Sequence, residues 1–229
     1  MKPKNLKYPF SWEERRILVQ DRVWYVPEHY NDHTAFQFPG WNHPDIFGND
    51  QPICVEYCSG NGTWIAEKAA ANPKSNWVAV EKRFERVRKI WSKVKNLRLN
   101  NLFVISAEGH SVTSHYFPEA SVHEIYINFP DPWPKKRHAK HRIIKLPFVE
   151  ELYRILKVEG AVTVVTDDVN YSSEVIDVFS KLDGLKSLHQ EPFYRTDLED
   201  YGTSYFDRLW RGKGKEIRYH QYQKQVPAG

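Results

Sequence analysis

The residues best suited to chemistry lie in one short run, Asn128-Phe129-Pro130-Asp131-Pro132-Trp133-Pro134-Lys135-Lys136-Arg137-His138. A single carboxylate, Asp131, stands between two prolines, and an aromatic, Trp133, follows the second. Proline fixes φ and pushes the residue before it toward extended geometry, so the run predicts a stiff loop. From Lys135 to Lys145, six of eleven residues are Lys or Arg, with His138 and His141 among them and no acid. One rigidly held acid beside dense positive charge suits small-site chemistry next to a polyanion. The same residues also suit a surface turn leading into a solvated basic helix.

The elements around this run decide between those readings. Ile53 to Tyr57, Trp77 to Val80, Leu102 to Ile105, Glu124 to Phe129 and Ala161 to Val165 read as short strands. Thr63 to Ala71, Phe84 to Lys95, a stretch ending at Phe117-Pro118, Leu146 to Leu156 and Ser172 to Lys181 read as helices, the fourth stopping at Glu159-Gly160. Strands alternating with helices predict an α/β fold, Rossmann-like, with a mostly parallel central sheet and helices on both faces. In such sheets ligands bind outside the carboxyl ends of the strands. Glu56, Glu81, Glu108, Asp131 and Asp167 place an acid at or near every one of the five strand ends.

Glu81 is the most telling of them. A negative charge there suits the start of the following helix. The end of the second strand is also where doubly wound folds hold a ribose, because a carboxylate accepts both sugar hydroxyl protons. Gly60 and Gly62 let a nucleotide approach the backbone, having no Cβ to clash. Their turn is not G-x-G-x-x-G, so a dinucleotide bearing a pyrophosphate is poorly supported. A cofactor with a ribose and no phosphate fits, and S-adenosylmethionine is that cofactor.

These residues together resemble the bacterial TrmB family, tRNA (guanine-N7)-methyltransferases that use S-adenosylmethionine. The likeness is carried by the Glu56-to-Gly62 turn, by Glu81 and Glu108, and above all by the run from Phe129 to His138. Thr166-Asp167 and Thr203-Ser204-Tyr205 also fall where that family has motifs, so the resemblance covers roughly Ile53 to Tyr222. It implies that Glu56, Gly60, Gly62, Glu81, Glu108 and Asp131 line the cofactor site. It also implies that Lys135, Asp167, Thr203 and Tyr205 meet the tRNA. The chain departs from the family pattern where Cys58 replaces the first glycine of the turn. It departs again where Phe206 stands at the position of a glutamate, with Asp207 next. Either Asp207 substitutes after a one-residue shift or that substrate contact is missing.

Methyl transfer to guanine N7 needs no base, since N7 carries a lone pair and no proton, and the product ring is cationic. In-line orientation and a negative charge where positive charge develops are what help. Asp131 is the candidate catalytic residue in that sense, orienting guanine by its Watson–Crick-edge N–H groups or stabilising the developing cation. Trp133 either stacks on the base or packs beneath the loop. Lys135, Lys136, Arg137, Lys140 and Arg142 are candidates to hold phosphates, some of them only as a solvated face.

Composition agrees with this picture. The 229 residues carry a net charge of +4, 41% apolar residues and a basic stretch from Lys82 to Arg98 with eight Lys or Arg and one acid, Glu85. That length predicts one methyltransferase domain over 51–229 behind an N-terminal extension over 1–50. In the extension, Ser11 with Glu14 predicts a helix cap and a helix over Arg15 to Gln20. Its lysines and arginines make it either an arm for nucleic acid or an extension packed on the core. No run approaches the length of a membrane helix, and no signal-peptide core follows Met1. Cys54 and Cys58 have no partner at metal-ligand spacing, which predicts reduced thiols, a cytoplasmic protein and no metal. A monomer or weak homodimer is expected. Toward the C-terminus, Leu185 to Gln190 predicts a strand and Glu216 to Tyr222 an edge strand closing an antiparallel hairpin. Basic and aromatic residues between them suit RNA contact or a solvated face. Alternatives are another RNA base or amine methyltransferase, a non-catalytic RNA-binding protein of the same fold, and, more distantly, a nicotinamide dehydrogenase.

Overall fold

Ser11 acts as the capping residue its type suggests, its Oγ accepting the Glu14 amide at 3.3 Å. The turn does not propagate into the helix expected over Arg15 to Gln20. In the computed structural model, which describes residues 1–28, 30 and 32–226, the chain instead enters strand β1 (Leu18–Gln20) and returns as β2 (Val23–Tyr25). Asp21 and Arg22 make the reversal with positive φ of 54° and 69°, the pattern of a tight turn that matches strand twist. Tertiary contacts outweigh the capping signal. Val23, Trp24 and Tyr25 are all buried, and the Arg22 guanidinium donates to the carbonyls of Ile46 at 2.6 Å and Leu102 at 3.1 Å.

Two units divide the chain, Met1–Pro118 and Glu119–Gly229. In the first, β3 (Ile53–Tyr57), β4 (Asn76–Glu81) and β5 (Leu102–Ser106) are buried at every position, as parallel strands covered on both faces are. The strands of this unit lie in the order β1-β2-β5-β4-β3, with β2, β5, β4 and β3 parallel. Helix α1 (Thr63–Ala71) joins β3 to β4, α2 (Phe84–Asn96) joins β4 to β5, and α3 (Gly109–Tyr116) follows β5. Apolar residues at helical spacing, Val87, Ile90, Trp91 and Val94, form the buried face of α2. Each such burial stabilises by about 1.5–3 kcal/mol.

In the second unit β6 (Val122–Asn128) runs parallel to β7 (Leu156–Thr166). Helix α4 (Leu146–Ile155) passes into β7 at Leu156 without a loop, so Leu156, expected as the last helical residue, and Glu159-Gly160, expected as the stop after it, are strand. Helix α5 (Val169–Phe179) begins three residues before the expected Ser172 because Asp168 caps it, accepting the Tyr171 amide at 2.8 Å. The chain then forms β8 (Leu185–Ser187), α6 (Tyr205–Arg211) and β9 (Arg218–Lys224). Strand β9, expected at an edge, is antiparallel to β7 on one side and β8 on the other. The edge is the three-residue β8, short as exposed edges usually are.

Candidate active site

In the first unit, the parallel strands β3, β4 and β5 bring their carboxyl ends to one side. Glu56 lies in β3 opposite Ala79, Glu81 ends β4 opposite Ser106, and Glu108 follows β5 by two residues. Glu56 and Glu81 are buried. The two oxygens of Glu81 are each held by one backbone amide, Oε2 by Gly60 and Oε1 by Arg83, both at 2.9 Å, with an Arg86 guanidinium nitrogen 3.7 Å from Oε2. Each carboxylate oxygen has two lone pairs, so each keeps one to accept a hydroxyl of a vicinal diol. Glu108 caps α3, accepting the amides of His110 at 3.1 Å and Ser111 at 2.7 Å.

The turn between β3 and α1 separates its two glycines by role. Gly60 has φ 57°, and a Cβ there would meet only the Cys58 carbonyl, at 3.8 Å. The space beside this backbone stays open to a ligand. Gly62, with φ 71°, leaves room for a helix instead: a Cβ would lie 2.6 Å from Ile90 Cγ1 on α2. Cys58 adopts φ 59°, the left-handed conformation that favours the glycine it replaces. Burial pushes its thiol up to about 12, and the charges of Glu81, Glu56 and Glu108 add to the effect. The thiol is therefore neutral, and all three carboxylates act on the same small volume. That set of acids and the open backbone at Gly60 fit a cationic nucleoside such as S-adenosylmethionine.

In the second unit the proline run forms a loop after β6. The Phe129 amide donates to the Val165 carbonyl at 2.9 Å, and both Phe129 (φ 49°) and Trp133 (φ 42°) are left-handed. Asp131 is exposed and its Oδ1 accepts the Trp133 amide at 3.1 Å. The loop is braced by Arg142. Its Nε donates to the Pro132 carbonyl at 2.7 Å, a terminal nitrogen to the Trp133 carbonyl at 3.2 Å, and its other nitrogen pairs with Glu174. Arg142 thus braces the loop. The Trp133 ring lies 5.7 Å from His138 and 5.2 Å from His141. Lys135, Arg137 and Lys140 are exposed. The side chain of Lys136 lies outside the described residues.

Asp167 and Asp131 follow the same ends of the parallel pair β7 and β6, and Asp167 is ion-paired to Lys215. Thr203 is exposed and its Oγ1 accepts from Arg208 at 2.9 Å. Tyr205 is exposed at the start of α6, edge-on to Phe206 at 5.4 Å. Asp207 does not stand in for the absent glutamate. It is buried, accepting from Arg211 at 3.0 Å and from the Tyr219 hydroxyl at 2.8 Å. Tyr201, which sequence reasoning passed over, donates to Asn128, the first residue of the proline run, at 2.6 Å where β6 ends. The partner lies 73 residues away, so nothing local in the sequence marks that contact.

Among the described residues no cluster of His, Cys, Asp or Glu has the make-up of a metal site, and no helix is long and apolar enough to cross a membrane. Residues 50–219 match a protein family described as "Putative methyltransferase". The chain is 46% identical over 226 residues to a tRNA (guanine-N(7)-)-methyltransferase of Chlamydia felis, and 47% identical over 228 residues to that of Chlamydia trachomatis, covering 99% of both partners in each case. Among solved structures, a 16S rRNA adenine-N1 methyltransferase from Catenulisporales acidiphilia, determined with the cosubstrate SAM, superimposes with a TM-score of 0.53. That likeness has 15% identity and covers 78% of this chain and 88% of the other, which supports the methyltransferase fold. The chain belongs to the tRNA (guanine-N7-)-methyltransferase family.

Proposed function

We propose that this protein transfers a methyl group from S-adenosylmethionine to N7 of a guanine in the variable loop of tRNA. It does so in the cytoplasm, where that substrate is found. The observation that carries the cofactor half of this reading is Glu81, buried and amide-held with one lone pair to spare on each oxygen. Full-length identity of 46–47% to enzymes named for guanine N7 supports the substrate half.

S-adenosylmethionine would supply an electrophilic methyl on its sulfonium, the S–CH3 bond breaking to leave a neutral thioether as N7 bonds the methyl. Glu81 accepts the ribose hydroxyls, and Gly60 keeps the backbone open beside it. Gly62 acts indirectly by letting α1 seat on α2. Glu56 and Glu108 add negative charge that favours the sulfonium ligand. Asp131 positions guanine by accepting its N1–H and N2–H, and its charge stabilises the cation that develops on the ring. No residue has to remove a proton from N7. Lys135 holds a phosphate, while Asp167, Thr203 and Tyr205 contact the nucleotide, Asp167 exchanging its Lys215 pairing for that contact.

The test is incubation with bulk tRNA and methyl-labelled S-adenosylmethionine, followed by nucleoside analysis. Label is expected in 7-methylguanosine. Label in any other nucleoside replaces the substrate reading, and absence of label together with absent cofactor binding leaves an RNA-binding protein.

A further inference from the structure

A cavity of about 300 Å³ opens in the first unit, a volume at the small end of the range for ligand pockets. Tyr8, Phe10, Trp12 and Arg15 from the lead-in form one side, with Tyr25 of β2 and Lys82, the residue after β4, on others. Glu56, Glu81, Glu108 and Gly60 do not line it.

Its walls are aromatic and held in place. Tyr8 stacks on Phe84 of α2 with centroids 3.8 Å apart, and Phe10 meets Tyr25 edge-on at 6.1 Å. Trp12 is 60% exposed, and the Arg15 guanidinium lies 4.3 Å from its ring centre. One terminal nitrogen of Arg15 donates to the Trp12 carbonyl at 2.9 Å. Its Nε is buried and has no hydrogen-bond partner among the described residues. A buried N–H without an acceptor is costly, so this donor is set to receive an oxygen. In the lining, Lys82 pairs with Glu28 at 3.7 Å, which leaves Arg15 without a counter-ion among the lining residues; around it the exposed Lys7 and Arg16 are balanced by the exposed Glu13 and Glu14.

We propose that this cavity binds one unpaired nucleotide of the RNA substrate, its base on the Tyr8-to-Trp12 aromatic wall and an acceptor oxygen on Arg15 Nε. Aromatic faces take any base, and an arginine fork beside them takes a phosphate or a base carbonyl. Proteins that read RNA favour such splayed, single-stranded bases. The lead-in thus adds an RNA contact remote in sequence from Asp131 and Lys135. The inference rests on tRNA being the substrate.

The test compares full-length wild type with Trp12→Ala, Arg15→Ala and Trp12→Phe, measuring tRNA and S-adenosylmethionine affinity separately. Trp12 is largely exposed, so its replacement leaves the core intact. Trp12→Ala and Arg15→Ala should each weaken tRNA binding by about fivefold or more. Trp12→Phe should bind like wild type, and cofactor affinity should be unchanged throughout. Unaltered tRNA affinity in both alanine variants overturns the proposal. A loss of cofactor affinity also overturns it, assigning the cavity to the adenosine of the cofactor. Failure of the wild type to methylate tRNA would sink the underlying substrate reading instead.

Discussion

At the scale of single residues, chemistry and architecture divide a set of side chains that look alike in sequence. Of the acids at the strand ends, Glu108 is bound into a helix cap and Asp167 into an ion pair, while Asp131 is exposed with only a turn amide on one oxygen. Asp131 therefore keeps accepting capacity for a substrate. Asp131→Asn keeps an oxygen for the Trp133 amide but removes the charge and turns the second acceptor into an NH2 donor, whereas Asp131→Ala removes every acceptor. Both variants should lower kcat by about a hundredfold or more, with the far-ultraviolet circular dichroism of the wild type. Near-normal turnover of Asp131→Asn would take both its charge and its second acceptor out of the mechanism. Cys58 illustrates the opposite division. Its left-handed backbone and neutral thiol show a residue tolerated in a glycine position rather than one recruited for reactivity. The roles of Arg142 and Asp207 were not legible in the sequence, because the groups that occupy them, Glu174 and Tyr219, are 32 and 12 residues away.

At the scale of elements, β9 is pinned by His220, which is fully buried. One ring nitrogen shares a hydrogen bond with Ser172 on α5 at 3.0 Å, and the other lies 3.2 Å from the Phe193 carbonyl. Burial lowers its pKa to about 4, outweighing the Phe193 hydrogen bond. Below pH 6.5 the unfolded chain protonates this histidine while the folded chain holds it neutral, so stability falls as pH drops from 6.5 to about 4. The loss is about 3 kcal/mol. In urea unfolding, the advantage of wild type over His220→Gln should shrink by roughly that amount between pH 7 and pH 4. A constant difference would show that His220 does not titrate in this way. Legibility also varied by element. The short apolar strand β3, broken only by Glu56, and the helix α1 ending before Pro73 were evident from composition and a proline boundary. The β1–β2 hairpin was not, because its turn, Asp21-Arg22, lacks the glycine or asparagine that usually marks positive φ. The burial of Val23 to Tyr25 that favours it is a property of the folded unit.

At the scale of the whole molecule, a net charge of +4 understates the local fields. Lys135 and Arg137 are exposed beside the proline loop, whereas Arg142 is spent on bracing it. Replacing Lys135 and Arg137 together by Ala should weaken tRNA binding and flatten its dependence on log salt concentration by about 0.7–0.9 per lost phosphate contact. Arg142→Ala should leave that slope unchanged while lowering turnover through a loosened loop. An unchanged slope in the double variant would make the exposed pair a solubilising face. The close fit of Gly62 against Ile90 bears on how such a chain can drift over generations. A side chain at position 62 would collide with Ile90 Cγ1 and require a strained backbone, so substitutions there are epistatic. A smaller residue at position 90 would have to be fixed first, which costs core packing before anything is gained. That order of events is selectively uphill, and lineages descended from this sequence should hold the two positions as a matched pair.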